Sequence, residues 1–449
     1  MKKLYQKTRV VESLFNYFKP YINLLTKPSG QKLFLLILAM ISIQFISSIQ
    51  FLYKWFISDI CKLSLNSYYY LLTYTQIPLE KFALITVKIA LSLIPESLRQ
   101  MPILLIIDDT LQEKFGTHFE CYKKFFDHAS RNNSNYLNGH CFVALTICIP
   151  VIISNEIQYL HIPVRFRLRR EKENKLVIAS EMINNAMKML ENASKVILLC
   201  DSWYPKGEVL ATVSKYLNLE LIANTRIDTV IRDINPPKRT GKRGRPAEKG
   251  KLLSIFTDFE FKKVGDYYIA TKMVLTNLFD FPVYLTITTP NLGNHKSYRV
   301  FVSTLTPENI LKQFVGYEKI LQIQTEPLSL EIWTLPLYFY TFRWKIETMF
   351  YEVKKFWSFG LYMLRSKQGI ENYINIVSIC YACMQMLPRT NDIFSNLAES
   401  SVQERKYALG ESIRRELFLG FSSPESETAI NSSDFWTTFD NTFSSKEAS

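Results

Sequence analysis

The sequence is poor in the residues that build disulfide frameworks and histidine-rich metal sites. Its 449 residues include seven cysteines and five histidines. The cysteines are odd in number and irregularly spaced, which excludes a disulfide framework and favours a reducing cytoplasm. Cys380 and Cys383 form a CxxC, but it lies in an apolar helical run with no second pair and no nearby histidine. We therefore interpret both as buried core thiols rather than zinc ligands.

Acidic residues are outnumbered, and internal repeats and a cleavable signal are not evident. Lys and Arg total 54 against 41 Asp and Glu, which gives a net charge of +13 and a pI near 9.2. This balance favours a polyanionic partner, either nucleic acid or an anionic membrane surface, and charge alone does not choose between them. A hydrophobic content of 47% excludes global disorder. The length predicts about three domains of about 150 residues each.

A charge-free apolar run at residues 33–53 is long enough to span a bilayer. Seven basic residues precede it, so the positive-inside rule would export everything downstream. Such an orientation conflicts with a basic, reduced, nucleic-acid-binding body. The Ser and Gln residues between Ile41 and Gln50 also fit a buried helix. We predict a core helix of an N-terminal helical domain and no membrane, with a transmembrane helix as the alternative.

Strand and helix patterns alternate in the centre of the chain. Residues 101–107 form a short apolar run that predicts a buried strand ending at Asp108 and Asp109. Two strand-like runs, 141–149 and 157–168, complete a three-strand meander. Further elements are predicted in the order helix 175–190, strand 195–200 ending at Asp201, helix 206–217 and strand 219–226. This order predicts an α/β fold class.

The stretch YTFRWKIETMFYEVK, residues 340–354, has the periodicity of one amphipathic helix. At about 100° per residue, a stripe of four polar side chains faces away from the apolar residues. Its members are Tyr340, Arg343, Glu347 and Lys354. Arg343 and Glu347 at i,i+4 also fit a plain surface ion pair. Glu352 lies outside the stripe and reads as an ordinary surface charge.

Carboxylates at the ends of two buried strands, with a later helical glutamate, suit two-metal phosphoryl transfer. Hard divalent cations take oxygen ligands and keep several waters, so few carboxylates suffice. Two ions about 4 Å apart activate the attacking oxygen and neutralise the leaving one. A single Asp at a strand end is more often a helix cap or turn residue. The combination of three acids therefore carries the hypothesis.

The chain resembles the DDE transposases of bacterial insertion sequences, in the branch with a Tyr, Arg, Glu, Lys signature. Tyr340, Arg343, Glu347 and Lys354 match that signature with two, three and six intervening residues. In IIDDTL the family's catalytic Asp directly precedes Thr, which selects Asp109 over Asp108. VILLCDSWY is similar to the family's second-acid strand and selects its only Asp. The likeness extends over roughly residues 100–390.

The resemblance implies an RNase H-like mixed sheet with flanking helices, interrupted by a β-rich insertion and preceded by a helical N-terminal domain. The implied domains are a helical DNA-binding domain at 1–95, the first part of the core at 96–226, the insertion at 227–304, the second part of the core with the glutamate helix at 305–395, and a helical or flexible tail at 396–449.

The resemblance also implies roles for individual residues. Asp109 would bridge two Mg²⁺ ions, with Mn²⁺ as a substitute, and Asp201 and Glu347 would complete one site each. Tyr340, Arg343 and Lys354 would hold DNA phosphates. The implied function is cut-and-paste transposition at terminal inverted repeats, through a hairpin as in this branch. Two protomers would act on both ends and on target DNA, in the bacterial cytoplasm at the nucleoid.

Several other residues are candidates for DNA contact. Lys242, Arg243 and Arg245 lie in a basic loop that resembles the core of an AT-hook, or contacts backbone phosphates only. Three alternating arginines form either a basic stripe on a strand or solvated edge residues: Arg165, Arg167 and Arg169. A structural hydrogen-bonding role is predicted for His140, and base stacking is a candidate role for Trp333. Core packing is predicted for Trp203, with a contact to substrate as the alternative.

Two competing hypotheses belong to other classes. The first is a decayed or repurposed transposase that binds DNA without cutting, against which the three intact acids argue. The second is an integral membrane protein anchored by residues 33–53.

Overall fold

A computed structural model describes residues 10–116, 118–127, 135–236, 249–313 and 332–419. The chain divides into two compact units, each considered over its described residues. The sheet unit comprises Ala90–Thr110 and Cys141–Met349. The helical unit comprises Met1–Ile89, Leu111–His140 and Phe350–Ser449. This division is coarser than the five predicted segments, whose boundaries stay predictions.

Helices dominate both ends of the described chain, and strands dominate its centre. In chain order, the helices are α1 Val10–Ile22, α2 Lys27–Ser42, α3 Ile49–Leu52, α4 Ser58–Ile60, α5 Leu65–Thr73, α6 Leu79–Ser92, α7 Lys175–Met187, α8 Gly207–Lys215, α9 Pro307–Gln313, α10 Leu335–Thr341, α11 Trp344–Phe356, α12 Lys367–Thr390 and α13 Val402–Arg414. The strands are β1 Ile103–Glu113, β2 Lys123–Phe126, β3 Tyr136–Ile153, β4 Glu156–Leu168, β5 Val196–Cys200, β6 Leu219–Thr225, β7 Ile231–Arg232, β8 Lys262–Val264, β9 Tyr267–Thr276, β10 Val283–Thr289 and β11 Arg299–Ser303.

The sheet unit is built on a mixed sheet with the strand order β4-β3-β1-β5-β6 at its centre. β1, β5 and β6 are parallel, and β3 and β4 form an antiparallel pair. All five residues of β5 are buried, as its continuous apolar run predicts for a strand covered on both faces. Helices α7 and α8 pack together, with a hydrogen bond of 2.7 Å between Ser180 and Thr212. The predicted α/β class is confirmed, and the order is consistent with an RNase H-like fold.

The strands after β6 extend the same sheet. β11 pairs antiparallel with β6, β10 with β11 and β9 with β10. Much of the predicted β-rich insertion therefore continues the central sheet through hydrogen-bonded neighbours. Its basic loop, with Lys242, Arg243 and Arg245, lies outside the described residues.

The helical unit contains the apolar run at residues 33–53, and one continuous helix there is a wrong prediction. α2 ends at Ser42, and the next helical turn begins at Ile49 after its N-cap, Ser48. Residues 33–41 are nevertheless all buried, which confirms their place in the core. Among the described helices none is both long and apolar enough to cross a bilayer.

The other core predictions for this unit hold. Cys380 and Cys383 are buried on α12 as free thiols. His140 is buried, with its ring nitrogens 2.6 Å from the Tyr362 hydroxyl and 2.9 Å from the Glu120 carbonyl. Burial lowers the pKa of His140 to about 4, which keeps it neutral and structural.

Candidate active site

Two neighbouring parallel strands bring the predicted acids together at one edge. The β1 and β5 register ends at the pair Ile107 and Cys200. Asp108 and Asp201 are the next residue on each strand, so they lie side by side. The sequence predicted that β1 ends at its two acids, but β1 continues to Glu113. Asp108 and Asp109 therefore lie within β1, beyond the point where its parallel partner β5 ends.

Asp108 and Asp109 have different hydrogen-bond partners, although the charge of Asp109 acts on both Asp108 and Asp201. Asp108 is buried and accepts from Arg343 Nη1 at 2.9 Å through Oδ2. Its Oδ1 accepts from the backbone N–H of Asp109 at 2.8 Å. The same Arg343 nitrogen lies 3.3 Å from Glu347 Oε1. Arg343 thus links an acid of β1 to the glutamate of α11.

The single helix predicted over residues 340–354 is interrupted just before this glutamate. α10 ends at Thr341 and α11 begins at Trp344. The intervening turn is closed by a hydrogen bond of 3.0 Å from the Arg343 N–H to the Tyr340 carbonyl. Tyr340 packs against Phe301, with ring centroids 4.8 Å apart. The contact of Arg343 with Glu347 keeps the predicted i,i+4 spacing, whereas its contact with Asp108 is tertiary.

Asp109 is held by three donors within the sheet unit. Its Oδ1 lies 2.7 Å from Lys175 Nζ and accepts from the Tyr204 hydroxyl at 2.9 Å. Its Oδ2 accepts from Cys141 Sγ at 3.5 Å, within the wider range of a sulfur donor. Sequence reasoning missed Lys175 and Tyr204. Tyr204 follows Asp201 by three residues, which is a usable signal, but nothing local links Lys175 to an acid far along the chain.

Burial and mutual repulsion govern the electrostatics of these acids. Burial first, and then the charge of Asp201, raises the pKa of Asp108 to about 8, although Arg343 opposes the shift. Burial likewise raises the pKa of Asp201. A hydrogen bond from the Trp203 N–H opposes that rise, and Asp109 adds repulsion. These carboxylates are therefore crowded enough to gain from a nearby cation.

The donor set suits a hard divalent cation by its chemistry. Carboxylate oxygens are the ligands that Mg²⁺ and Mn²⁺ take, and the crowded acids repel one another. Across the described ranges, no three His, Cys, Asp or Glu side chains converge in a geometry that could hold a metal. Basic side chains engage two of the acids instead, as the contacts of Arg343 and Lys175 show.

The remaining predicted residues have contacts within their own units. Lys354 belongs to the helical unit, where its Nζ donates to the Leu111 carbonyl at 3.0 Å. Trp333 lies in the sheet unit with its carbonyl accepting from the Tyr284 hydroxyl at 3.0 Å. Lys262 Nζ lies 5.5 Å from the centroid of the Trp333 ring. No nucleic-acid role follows from these contacts alone.

Arg165 and Arg167 of β4, with Arg169 just after it, do not form a free basic stripe. Arg165 is buried and donates to the Phe166 carbonyl at 3.0 Å. Arg167 pairs with Glu181 at 3.1 Å, and Arg169 donates to the Glu173 carbonyl at 3.0 Å. Their partners come from the same unit, so we assign them structural roles.

Two predictions about single residues are wrong. Trp203 is not in the core, because 38% of its surface is exposed, and Lys175 Nζ lies 4.0 Å from the centroid of its ring. Glu352 is not an ordinary surface charge, since its carboxylate accepts from the hydroxyl of buried Tyr381. Gln385 donates in turn to that hydroxyl at 3.1 Å.

Comparison with known families gives one match. Residues 84–260 match the family model described as DDE superfamily endonuclease. The matched segment contains Asp108, Asp109 and Asp201 and ends before the helix with Glu347. No curated protein matches the chain. The family match supports a DDE transposase-like family and a nuclease-type enzyme.

Proposed function

We propose that this chain is a DNA transposase that excises and inserts a mobile element by cutting at its terminal inverted repeats. The observation that carries the proposal is the acid cluster around Asp108, which Arg343 links to Glu347 and whose pKa is raised by burial and by the charges of Asp201, Asp109 and Glu347. The cluster brings the Asp residues inside the family match together with a glutamate far outside it. The signature of Tyr340, Arg343, Glu347 and Lys354 supports the transposase branch.

The acids of the sheet unit would hold divalent cations. Asp109, Asp201 and Glu347 are the proposed ligands for two Mg²⁺ ions, which Mn²⁺ can replace. When bound, such ions activate the attacking oxygen and neutralise the leaving oxygen of the cleaved phosphodiester. Arg343 keeps Glu347 oriented, and its remaining N–H donors can bind a phosphate oxygen. Tyr340 can donate its hydroxyl to a neighbouring phosphate.

Further contacts would lie along the DNA. Lys354 and the loop with Lys242, Arg243 and Arg245 are proposed to bind phosphates or an A·T-rich minor groove. Cutting both ends of an element implies a homodimer in one complex with the inverted repeats and the target. The proposed location is the bacterial cytoplasm, at the nucleoid. The net charge of +13 supports a polyanionic partner.

The test is a cleavage assay on duplexes from both flanks of the gene that contain its inverted repeats. The Glu347→Gln variant keeps the size of the side chain but removes its charge. We expect Mg²⁺-dependent cleavage to fall at least about a hundredfold, because the lost interaction is worth several kcal/mol in the transition state. Gel-shift affinity for the same duplex should remain.

The matched control is Glu191→Gln, which makes the same change at an exposed position of the sheet unit. It should cleave as the unaltered chain does. Full cleavage by the Glu347→Gln chain would contradict the assignment of Glu347 as a metal ligand required for cleavage.

The alternative is a chain that binds DNA without cutting it. The observation in its favour is that Arg343 and Lys175 already neutralise Asp108 and Asp109. A gel shift with no strand cleavage in Mg²⁺ or Mn²⁺, on duplexes from both flanks, would support this alternative against the transposase.

A further inference from the structure

Lys175 occupies a fixed position at the first residue of α7. The N-cap, Asn174, accepts from the Leu176 N–H at 2.9 Å and so fixes where the helix starts. The Lys175 ammonium lies 2.7 Å from Asp109 Oδ1, and about one sixth of each side chain remains exposed. Burial raises the pKa of Asp201, and the Lys175 charge is one of the effects that oppose this rise. Lys175 therefore pairs directly with one proposed metal ligand, Asp109.

The contact uses an oxygen that a metal would need. Asp109 Oδ1 accepts from both Lys175 and Tyr204, and Oδ2 accepts from Cys141. A divalent cation that takes Oδ1 shares this oxygen with the Lys175 ammonium, which lies 2.7 Å from it. Two positive charges that share one oxygen repel strongly in a partly buried site. The ammonium and the metal therefore compete for the same carboxylate oxygen.

Lys175 has a second place to rest. Its ammonium lies 4.0 Å from the ring centroid of Trp203, whose indole is partly exposed. A lysine carries a compact charge on a flexible stem and can swing between neighbouring partners without a fixed fork geometry. A cation over an indole face retains part of its attraction after leaving a carboxylate. The contact with Trp203 can therefore remain when the ammonium leaves Asp109, and it offsets part of the lost attraction.

We propose that Lys175 is a positioning residue that competes with divalent cations for Asp109, and that cation binding moves it off the carboxylate. This proposal about Lys175 rests on the proposed function, because Asp109 is taken to be a metal ligand. Lys175 acts through Asp109 and touches no reacting atom. In this arrangement Lys175 keeps the acid oriented when no divalent cation is bound, and it weakens cation binding.

Titration calorimetry of the full chain without DNA tests this directly. Ca²⁺ and Mn²⁺ are the probes, and Lys175→Met is the first variant. We expect it to bind either ion about three- to tenfold more tightly, the range expected when one competing ion pair is removed. Lys175→Arg restores a cation at the position and should bind weakly again. Lys175→Gln repeats the test with a polar side chain if the Met variant does not fold.

The matched control is Lys188→Met. Lys188 is exposed at the other end of α7, where it donates to Asn185 at 2.9 Å. The control changes the net charge equally, but it lies about 20 Å away along the helix. Its affinity should stay within about twofold of the unaltered chain, since screened charges act weakly at that distance.

Two results would overturn the inference. Unchanged affinity in the Lys175→Met and Lys175→Gln chains shows that the ammonium does not compete. Weaker affinity shows that Lys175 supports the site instead. Either result leaves the proposed function intact if the unaltered chain binds the ions and Glu347→Gln abolishes cleavage. Cleavage by the Glu347→Gln chain would instead remove the proposed function, whatever the calorimetry shows.

Discussion

The sheet unit and the helical unit use buried charge in different ways. At the acid cluster of the sheet unit basic side chains meet carboxylates, as Arg343 meets Asp108 at 2.9 Å. In the helical unit buried lysines donate to backbone carbonyls. Lys114 Nζ lies 2.7 Å from the Gly360 carbonyl, and Lys406 Nζ lies 2.8 Å from the Phe356 carbonyl.

The difference separates acidic groups that can exchange one cation for another from carbonyl groups that depend on one buried donor. A carboxylate freed from its basic partner can take another cation, so an ion pair leaves room for a ligand. A buried carbonyl that loses its donor has no comparable substitute, and this loss costs about 1–3 kcal/mol. We therefore expect changes to the basic residues of the sheet unit to affect binding. Changes to those of the helical unit should affect the free energy of unfolding.

The largest expected effect is the loss of Arg405 in the helical unit. This side chain is buried and donates to the carbonyls of Leu397, Ala398 and Met384 at 2.8–3.0 Å. Arg405→Met should lower the free energy of unfolding by about 3 kcal/mol or more, because several acceptors lose their donor in the interior. Urea denaturation gives this value.

Two variants calibrate that measurement. Arg414→Met on the same helix removes an exposed pair with Glu411, and it should change stability by less than about 0.5 kcal/mol. Lys175→Met in the sheet unit should stay within about 1 kcal/mol. An Arg405→Met chain as stable as the Arg414→Met chain would break the contrast between the units.

A second, smaller effect concerns pH and Lys406. Burial lowers the pKa of this lysine to about 7, below its usual value of 10.5. Between these values the unfolded chain binds the extra proton, so the contribution of Lys406 to stability rises with pH. From about pH 7.5 to 9.5 the free energy of unfolding of the unaltered chain should rise by about 2 kcal/mol relative to that of the Lys406→Met chain. A constant difference in urea denaturation across this range would contradict the assignment.

The smallest expected effect has the opposite sign and belongs to Asp108. Its pKa is raised from 3.8 to about 8, so the folded chain keeps a proton that the unfolded chain releases between these values. The contribution to stability is present below pH 4 and is lost as the pH rises through about 8. At about pH 9 the Asp108→Asn chain should be at least about 1 kcal/mol more stable than the unaltered chain. At about pH 4 that advantage should disappear. Thermal melts at both pH values measure the difference.

Much of the central sheet could be predicted from local pattern alone. The runs that became β3, β4, β5 and β6 are apolar and bounded by polar residues, and periodicity identifies such strands. The continuation of β1 beyond its acids had no such signal, because Thr110–Glu113 is a mixed segment. The break after α2 had only a weak signal, the Ser and Gln residues at 42–50, of which Ser48 is the N-cap of α3.

The candidate site was predictable as a set of acids but not as a set of contacts. Asp109, Asp201, Arg343 and Glu347 were identified by motif and strand position, and all four lie in the sheet unit. Their partners depend on tertiary packing. Lys175 reaches Asp109 across 66 positions of sequence, a pairing that no local pattern encodes.

The turn between α10 and α11 also changes the meaning of the motif's spacing. Tyr340 and Arg343 lie before α11, whereas Glu347 lies within it. Their separation therefore includes a turn between two helices as well as helical residues. A residue inserted ahead of Trp344 would leave Glu347 on the same helical face, yet it would withdraw the guanidinium from both acids. The number of residues in this turn is thus constrained independently of which residues they are.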